Sequence, residues 1–178
     1  MAWPSANASS NVIEVGSGSN QNRDGAPPSF SPSLSEEGRA PVSRHLLIVE
    51  DSRPDVILIR KAIERARIDA VFHVVDDGEK AIRFFEQADG DPQSPCPDLI
   101  ILDLNLPRFK GSEVLRRLRA SARCADTPVL VVTSSDSAHD RQQMHEFGAN
   151  GYFRKPSDFS EYMKLGEIAR GLLEPDRG

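Results

Sequence analysis

The stretch DLIILDLNLPRFKG, residues 98–111, decides the predicted fold. Four consecutive aliphatic residues lead directly into a carboxylate at Asp103, and Asn105 follows two residues later. A short continuous apolar run bounded by turn residues is typical of a strand that is buried on both faces. An ionised side chain at its end contributes nothing to such a core. We therefore expect Asp103 to have a chemical function at the end of a central strand.

Four further apolar runs flank this stretch, and segments with helical periodicity separate them. Because the runs are continuous rather than alternating, both faces of the predicted sheet are covered by helices. The pattern predicts an α/β fold with a doubly wound five-stranded parallel sheet in the order 2-1-3-4-5, as in flavodoxin. The predicted strands are residues 45–49, 70–75, 98–102, 128–133 and 151–154, and the predicted helices are residues 53–66, 79–87, 112–122, 138–147 and 157–172.

Local signals mark several helix ends. Ser52 is a predicted N-cap, and Pro54 lies near the start of the first helix, where its missing N–H costs least. Gly148 predicts the end of the fourth helix. In the closing helix we expect core positions at Phe159, Met163 and Ile168.

The chain of 178 residues is long enough for one folded domain of ordinary size. Residues 1–44 are rich in Ser, Pro, Gly and Asn and lack long apolar runs. Such a segment buries too little apolar surface to offset the entropy of ordering it. We therefore expect a disordered N-terminal tail, followed by a single domain at residues 45–178.

Composition excludes several classes of function. The net charge of −5 and the lack of a basic stripe argue against nucleic acid as a partner. There is no signal peptide and no run of roughly 18 apolar residues, so we expect a soluble cytoplasmic protein without a membrane partner. Cys96 and Cys124 match no metal-ligand spacing and are too few for a disulfide scaffold, so we expect unpaired thiols in a reducing compartment.

Carboxylates follow two strands that are neighbours in the predicted order. Glu50 and Asp51 come directly after the first strand, and Asp103 comes after the third. Ligands of doubly wound sheets bind beyond the carboxyl ends of the strands where the order reverses, so the three carboxylates would meet there. Unpaired, they repel one another, and Mg²⁺ resolves that conflict with few protein ligands and several waters. Taken singly, each residue fits a solvated loop carboxylate equally well.

A hydroxyl and a lysine are predicted at the same edge. Thr133 ends the fourth strand, and Lys155 follows the fifth. A metal ion, an ammonium group and a hydroxyl around one carboxylate form a site that stabilises a phosphoryl group in transfer. Asp103 would be the nucleophile and would form an acyl phosphate.

With these residues in place, residues 45–172 resemble a response-regulator receiver domain of two-component signalling, a CheY-like domain. Two stretches, VEDSRPDVILIRKAIE and LIILDLNLPRFKG, are further similar to single-domain receivers that partner phytochrome histidine kinases. The closing helix departs from that subgroup, because it lacks the aromatic cluster and the C-terminal extension that supports dimers. The residues that carry the resemblance are Glu50, Asp51, Asp103, Leu106, Pro107, Gly111, Thr133, Lys155 and Pro156.

The resemblance implies a role for each site residue. Asp103 accepts the phosphoryl group from a phosphohistidine. Lys155 pairs with a phosphoryl oxygen, and its bond to Pro156 is cis. Thr133 moves to hydrogen-bond the phosphoryl group, and Tyr152 is the switch aromatic that turns inward behind it. Mg²⁺ is the implied cofactor, and its implied ligands are Glu50 (directly or through water), Asp51, Asp103 and the backbone carbonyl of Asn105.

These roles predict a phosphorylation-operated switch, not a turnover enzyme; the chain would catalyse only its own phosphorylation and dephosphorylation. The phosphodonor would be a sensor histidine kinase, with a phytochrome kinase as the implied partner, or a histidine phosphotransfer protein. We expect the kinase to dock on the first helix around Pro54 and Asp55. Residues 140–146 and Tyr152, on the surface of helix 4, strand 5 and helix 5, would bind a target or form a homodimer. No output domain is expected after residue 178.

Three alternatives stay open at the level of sequence. An aspartate-nucleophile phosphohydrolase needs a second acid two residues after its nucleophile, where this chain has Asn105. A flavodoxin-like cofactor carrier needs a phosphate loop rich in glycine and hydroxyl groups after the first strand, where this chain has the acidic EDSRPD, residues 50–55. A degenerate receiver would act as a phosphorylation-independent binding module, although no site residue is lost.

Overall fold

The computed structural model describes residues 43–174. The predicted tail therefore lies outside the described residues, except for residues 43 and 44, and Arg44 begins the first strand. Of the helices between residues 43 and 174, none is long and apolar enough to cross a bilayer. The strands are β1 Arg44–Val49, β2 Ala70–Val75, β3 Leu99–Leu102, β4 Val129–Thr133 and β5 Gly151–Arg154. The helices are α1 Arg53–Arg65, α2 Gly78–Gly90, α3 Gly111–Arg119, α4 Ala138–Glu146, α5 Phe159–Tyr162 and α6 Lys164–Leu173.

The five strands form one parallel sheet in the order β2-β1-β3-β4-β5, which confirms the predicted topology. Every residue of β3 and β4 is buried, as their continuous apolar runs indicate. Successive side chains point to opposite faces of the sheet. Leu47 and Ile100 pack into the core with α2, α3 and α4, whereas Leu46 and Ile101 pack into the core with α1, α5 and α6.

Two predicted helix ends are confirmed by their backbone geometry. At the start of α1, Ser52 Oγ accepts a hydrogen bond from the Asp55 N–H at 3.4 Å, and Pro54 lies in the first turn. A proline there leaves no helical hydrogen bond unmade. After α4, Gly148 has a φ of 88°, the left-handed conformation that glycine adopts without a Cβ clash.

The prediction of a single closing helix over residues 157–172 is wrong in two respects: the helix is interrupted, and a different set of side chains is buried. The segment forms α5 and α6, which meet at Met163. Phe159 and Ile168 are 49% and 37% exposed, whereas Met163 is buried as predicted. Gly166 explains why a different face of α6 is buried. It lies against the backbone of α1, where any Cβ would collide. The buried face therefore centres on this glycine.

The prediction of unpaired thiols is also wrong, because Cys96 and Cys124 form a disulfide. Their Cα atoms are 5.4 Å apart, although the two residues are separated by 28 positions along the chain. Cys96 precedes β3 and Cys124 precedes β4, and these strands are parallel neighbours. The segments that enter them consequently meet at the same edge of the sheet, a proximity that sequence spacing does not reveal.

Candidate functional site

The predicted carboxylates meet at the carboxyl edge of the sheet, between β1 and β3. The register pairs Val49 with Leu102, so the residues that follow, Glu50 and Asp103, leave the sheet next to each other. The Asp103 N–H donates to the Val49 carbonyl at 3.0 Å and joins the two segments. Carboxylate oxygens of Glu50, Asp51 and Asp103 lie within 4.8 Å of one another. We call these three residues the acidic cluster.

Burial makes the acidic cluster electrostatically costly. Glu50 and Asp103 are 2% and 6% exposed, whereas Asp51 faces solvent. Burial raises the pKa of Glu50 to about 7, and the Asp103 carboxylate acts in the same direction, although Lys155 opposes both. The three carboxylates are hard oxygen ligands, and Asp51 leaves one side accessible to water. This ligand set fits a divalent cation such as Mg²⁺.

Lys155 reaches the acidic cluster from the segment after β5. Its Nζ lies 2.7 Å from Glu50 Oε2, 2.7 Å from Asp103 Oδ2 and 2.8 Å from Asp55 Oδ2. Burial alone would lower the pKa of this lysine, but its hydrogen bonds to the three carboxylates outweigh burial and raise the pKa. The ammonium group therefore stays charged. The peptide bond from Lys155 to Pro156 is trans, the preferred form of an X–Pro bond, which corrects the implied cis bond.

The two side-chain oxygens of Asp103 have different partners. Oδ1 accepts a hydrogen bond from the Asn105 N–H at 3.0 Å, and Oδ2 accepts one from Lys155 at 2.7 Å. The motif glycine, Gly111, is required because a Cβ there would collide with the Asp103 carbonyl and with Leu104. It lets α3 begin directly beside the strand end. The Asn105 carbonyl as a metal ligand stays a prediction.

Thr133 and Tyr152 meet at a residue that the sequence analysis did not use, Ser135. Thr133 is fully buried at the end of β4, and its Oγ1 accepts a hydrogen bond from the Ser135 N–H at 3.2 Å. The half-buried Tyr152 donates from its hydroxyl to the Ser135 carbonyl at 3.2 Å, and burial raises its pKa. Ser135 Oγ in turn donates to Asp140 Oδ2 at 2.6 Å, at the start of α4. The β4–α4 loop thus connects the predicted switch residues to α4.

Asp55 lies closer to the chemistry than the sequence analysis predicted. Its expected contribution was to kinase docking, but its side chain is 25% exposed and contacts Lys155. The sequence places Asp55 in the first turn of a helix that begins directly after Glu50 and Asp51. It does not show that Lys155, which follows β5, contacts Asp55. The sequence also places Ser135 at this edge, after β4, but not its contacts with Tyr152 and Asp140, which depend on how the β4–α4 loop folds.

The chain is similar to known proteins over almost the whole of the described sheet. A family model described as the response regulator receiver domain matches residues 46–166. Response regulator Rcp1 of Synechocystis is 33% identical over 132 residues, which cover 74% of this chain and 88% of Rcp1. Such a match over most of both chains identifies homologues rather than a shared motif.

Solved structures agree with this result. The phosphorylated cyanobacterial phytochrome response regulator RcpA superposes with a TM-score of 0.68 at 27% identity, covering 75% of this chain and 96% of RcpA. The Mn²⁺-bound form of Rcp1 superposes with a TM-score of 0.65 at 32% identity, covering 74% of this chain and 95% of Rcp1. The bacteriophytochrome response regulator RtBRR superposes with a TM-score of 0.60 at 32% identity, covering 72% of this chain and 77% of RtBRR. By the family match, the sheet order and the relatives together, this chain belongs to the response regulator receiver domain family of two-component signalling.

Proposed function

We propose that the chain is a phosphorylation-operated switch that accepts a phosphoryl group on Asp103 from the phosphohistidine of a sensor histidine kinase or histidine phosphotransfer protein. The observation that carries this proposal is the placement of the Lys155 ammonium 2.7 Å from the buried Asp103 Oδ2, within the acidic cluster. A buried nucleophile beside a fixed positive charge is the arrangement that phosphoryl transfer requires.

The transfer balances without a further reactant. An Asp103 carboxylate oxygen attacks the phosphorus atom and forms a P–O bond as the P–N bond of the phosphohistidine breaks. The electron pair of that bond stays on the imidazole nitrogen, which takes up a proton from solvent. Lys155 donates to a phosphoryl oxygen and stabilises the negative charge carried by the group in transfer.

Receiver domains bind Mg²⁺, and the acidic cluster of this chain fits that ion. In the proposal, the holding residues are Glu50, Asp51 and Asp103, with the Asn105 backbone carbonyl as a further ligand. The bound ion supplies positive charge that offsets the carboxylates and the phosphoryl oxygens. Glu50 needs such compensation most, since its burial disfavours its ionised form.

The new charge on Asp103 would be transmitted through the β4–α4 loop. Thr133 Oγ1 now accepts from the Ser135 N–H, and its own proton is available for a phosphoryl oxygen. Drawing Thr133 toward that oxygen would pull on Ser135, to which the Tyr152 hydroxyl is also bonded. Ser135 contacts Asp140 of α4, so the loop, α4 and β5 would rearrange together. That surface would bind a target or a second copy of the chain.

A light-responsive kinase is the partner that the relatives favour. RcpA and RtBRR are described as phytochrome and bacteriophytochrome response regulators, and both superpose on most of this chain. The exposed face of α1 beside the acidic cluster offers Ile57, which is 54% exposed, and Arg53 for kinase contact. We assign the kinase-facing role of α1 to these side chains, because Asp55 is already paired with Lys155.

The first test is the electrophoretic shift of the phosphorylated chain in a phosphate-affinity gel after incubation with a small phosphodonor. Wild type, Asp103→Asn and Asp76→Asn are compared with and without Mg²⁺. Asp76 is a matched control, because it also follows a strand at the carboxyl edge but is exposed and lies outside the acidic cluster. We expect a Mg²⁺-dependent shift in wild type and Asp76→Asn that is absent in Asp103→Asn.

Two results would contradict the proposal. A shift that persists in Asp103→Asn would place the acceptor elsewhere. No shift in a folded wild type that binds Mg²⁺ by titration calorimetry would identify the chain as a phosphorylation-independent binding module.

A further inference from the structure

Among the hydrogen-bond partners of Lys155 in residues 43–174, Asp55 is the one that the family resemblance does not account for. We propose that Asp55 is a positioning residue: its carboxylate anchors the Lys155 ammonium while the other contacts of that ammonium change during phosphoryl transfer. This inference rests on the proposed function and adds a residue to its machinery.

The ammonium contacts define the anchor. An ammonium group has three N–H donors, and Lys155 directs them at Glu50, Asp55 and Asp103, all within 2.8 Å. A lysine side chain has a flexible four-carbon stem and no preferred direction of its own. Its position is therefore set by its partners, and the 12% exposure of the side chain leaves little access for water to replace one of them.

The three partners have different fates when Asp103 is phosphorylated. The Asp103 carboxylate becomes an acyl phosphate, so the carboxyl group loses its own charge and is a weaker acceptor, and its donor must turn to a phosphoryl oxygen. Glu50 belongs to the acidic cluster that fits the cation. Asp55 lies outside the acidic cluster and keeps its carboxylate throughout. It is thus the partner that can hold the ammonium within reach of the phosphoryl group.

The backbone around Asp55 fixes the anchor relative to the acidic cluster. The Asp55 N–H donates to Ser52 Oγ at 3.4 Å, and the Ser52 N–H donates to Glu50 Oε1 at 3.1 Å. Glu50, Ser52 and Asp55 are thereby joined across the loop between β1 and α1 and the first turn of α1. Because Ser52 supplies the helix cap, the Asp55 carboxylate is not needed to begin the helix. Its removal should leave α1 in place.

The test is the rate of phosphorylation of the full chain at saturating Mg²⁺ and small phosphodonor. Asp55→Asn keeps the shape of the side chain and removes its charge, and we expect a roughly tenfold lower rate, the size expected for a charge-assisted hydrogen bond. The donor concentration at half-maximal rate should stay within about twofold, because positioning acts on the transfer step rather than on donor binding. Glu64→Gln, an equal charge change on an exposed residue of α1, should match wild type.

A double-mutant cycle shows whether Asp55 acts through Lys155. If it does, Asp55→Asn causes no further loss of phosphorylation rate in a Lys155→Met background. In the wild-type background, Asp55→Glu should keep much of the wild-type rate. Equal reductions in both backgrounds, or a wild-type rate for Asp55→Asn, would overturn the inference. Should Lys155→Met fail to fold, rescue by Asp55→Glu decides the matter.

A second readout needs no phosphodonor, so it separates this inference from the proposed function. The ammonium protons of Lys155 should exchange slowly enough to be seen in a ¹H–¹⁵N spectrum of the wild type, and should exchange faster in Asp55→Asn but not in Glu64→Gln. Unchanged proton exchange in Asp55→Asn would contradict the proposed anchoring role of Asp55, even if Asp103 is phosphorylated. A wild type with slow exchange and no phosphorylation would instead leave the anchor standing and overturn the proposed function.

Discussion

The two edges of the sheet are stabilised in different ways. At the carboxyl edge, the buried carboxylates of Glu50 and Asp103 share one lysine, Lys155. At the amino edge, where the strands begin, the Cys96–Cys124 disulfide and well-paired polar groups connect the segments. Next to the disulfide, the Asp89 carboxylate accepts from Ser121 Oγ at 2.7 Å and from the backbone N–H groups of residues 122 and 123.

Arg119 illustrates how completely the amino edge is satisfied. Its guanidinium donates to the carbonyls of Ala125, Thr127 and Gly148 at 2.6–2.8 Å, and so connects the ends of α3 and α4 to the segment before β4. The carboxyl edge has more buried negative charge than its lysine can neutralise. The comparison indicates that polar groups are well paired at the amino edge, whereas the carboxyl edge keeps buried charge that its lysine does not fully offset.

The largest expected effect on stability comes from removing the shared cation. Lys155→Met leaves Glu50 and Asp103 buried without their partner, and we expect the free energy of unfolding to fall by about 3–5 kcal/mol in chelator. Urea denaturation followed by circular dichroism measures it. Mg²⁺ should recover part of the loss. A stability equal to that of wild type would show that Glu50 takes up a proton at no cost.

The second effect belongs to the disulfide. Its 28-residue separation corresponds to about 3.5 kcal/mol of stabilisation in the loop-entropy account. Reduction, or Cys96→Ala with Cys124→Ala, should lower the free energy of unfolding by that amount in urea denaturation. The phosphorylation rate should stay unchanged, because the bond lies at the opposite edge from Asp103. A reduced rate in the folded double variant would show that the two edges are coupled.

Replacing the arginine of the amino edge should have a smaller effect. Arg119→Met preserves the aliphatic stem but leaves three carbonyls without their donor, and we expect a loss of about 2 kcal/mol. Arg117→Met on the exposed side of the same helix is the control and should change little. Equal losses in the two variants would mean that the guanidinium contacts contribute nothing specific.

The smallest effect is a pH dependence from the stacked pair His45 and His73, whose nearest ring nitrogens are 3.0 Å apart. Burial, and then the charge of His45, lowers the pKa of His73 below its usual 6.5. The unfolded chain therefore binds more protons below about pH 6.5, and stability falls as the pH drops through that value. His73→Gln should reduce this slope in thermal melts, whereas His139→Gln, at an exposed position, should not. An unchanged slope in His73→Gln would exclude the pair as its cause.

The sequence alone determined the five parallel strands and the placement of Glu50, Asp103, Thr133 and Lys155 at their carboxyl ends, while the strand order was predicted as the common one for such a sheet. These are consequences of local pattern, because a continuous apolar run predicts a buried parallel strand and the next residue must leave the sheet at its carboxyl end. The chemical roles of these residues remain predictions that the phosphorylation experiments test.

The tertiary structure alone decided the contact of Asp55 with Lys155, the Cys96–Cys124 disulfide and the rotation of α6 about Gly166. Each depends on how close two elements that are distant in sequence come to each other. Local pattern specifies which side of an element is apolar and where the element ends. It does not specify the distances between packed elements, which are set by the side chains of both partners at once.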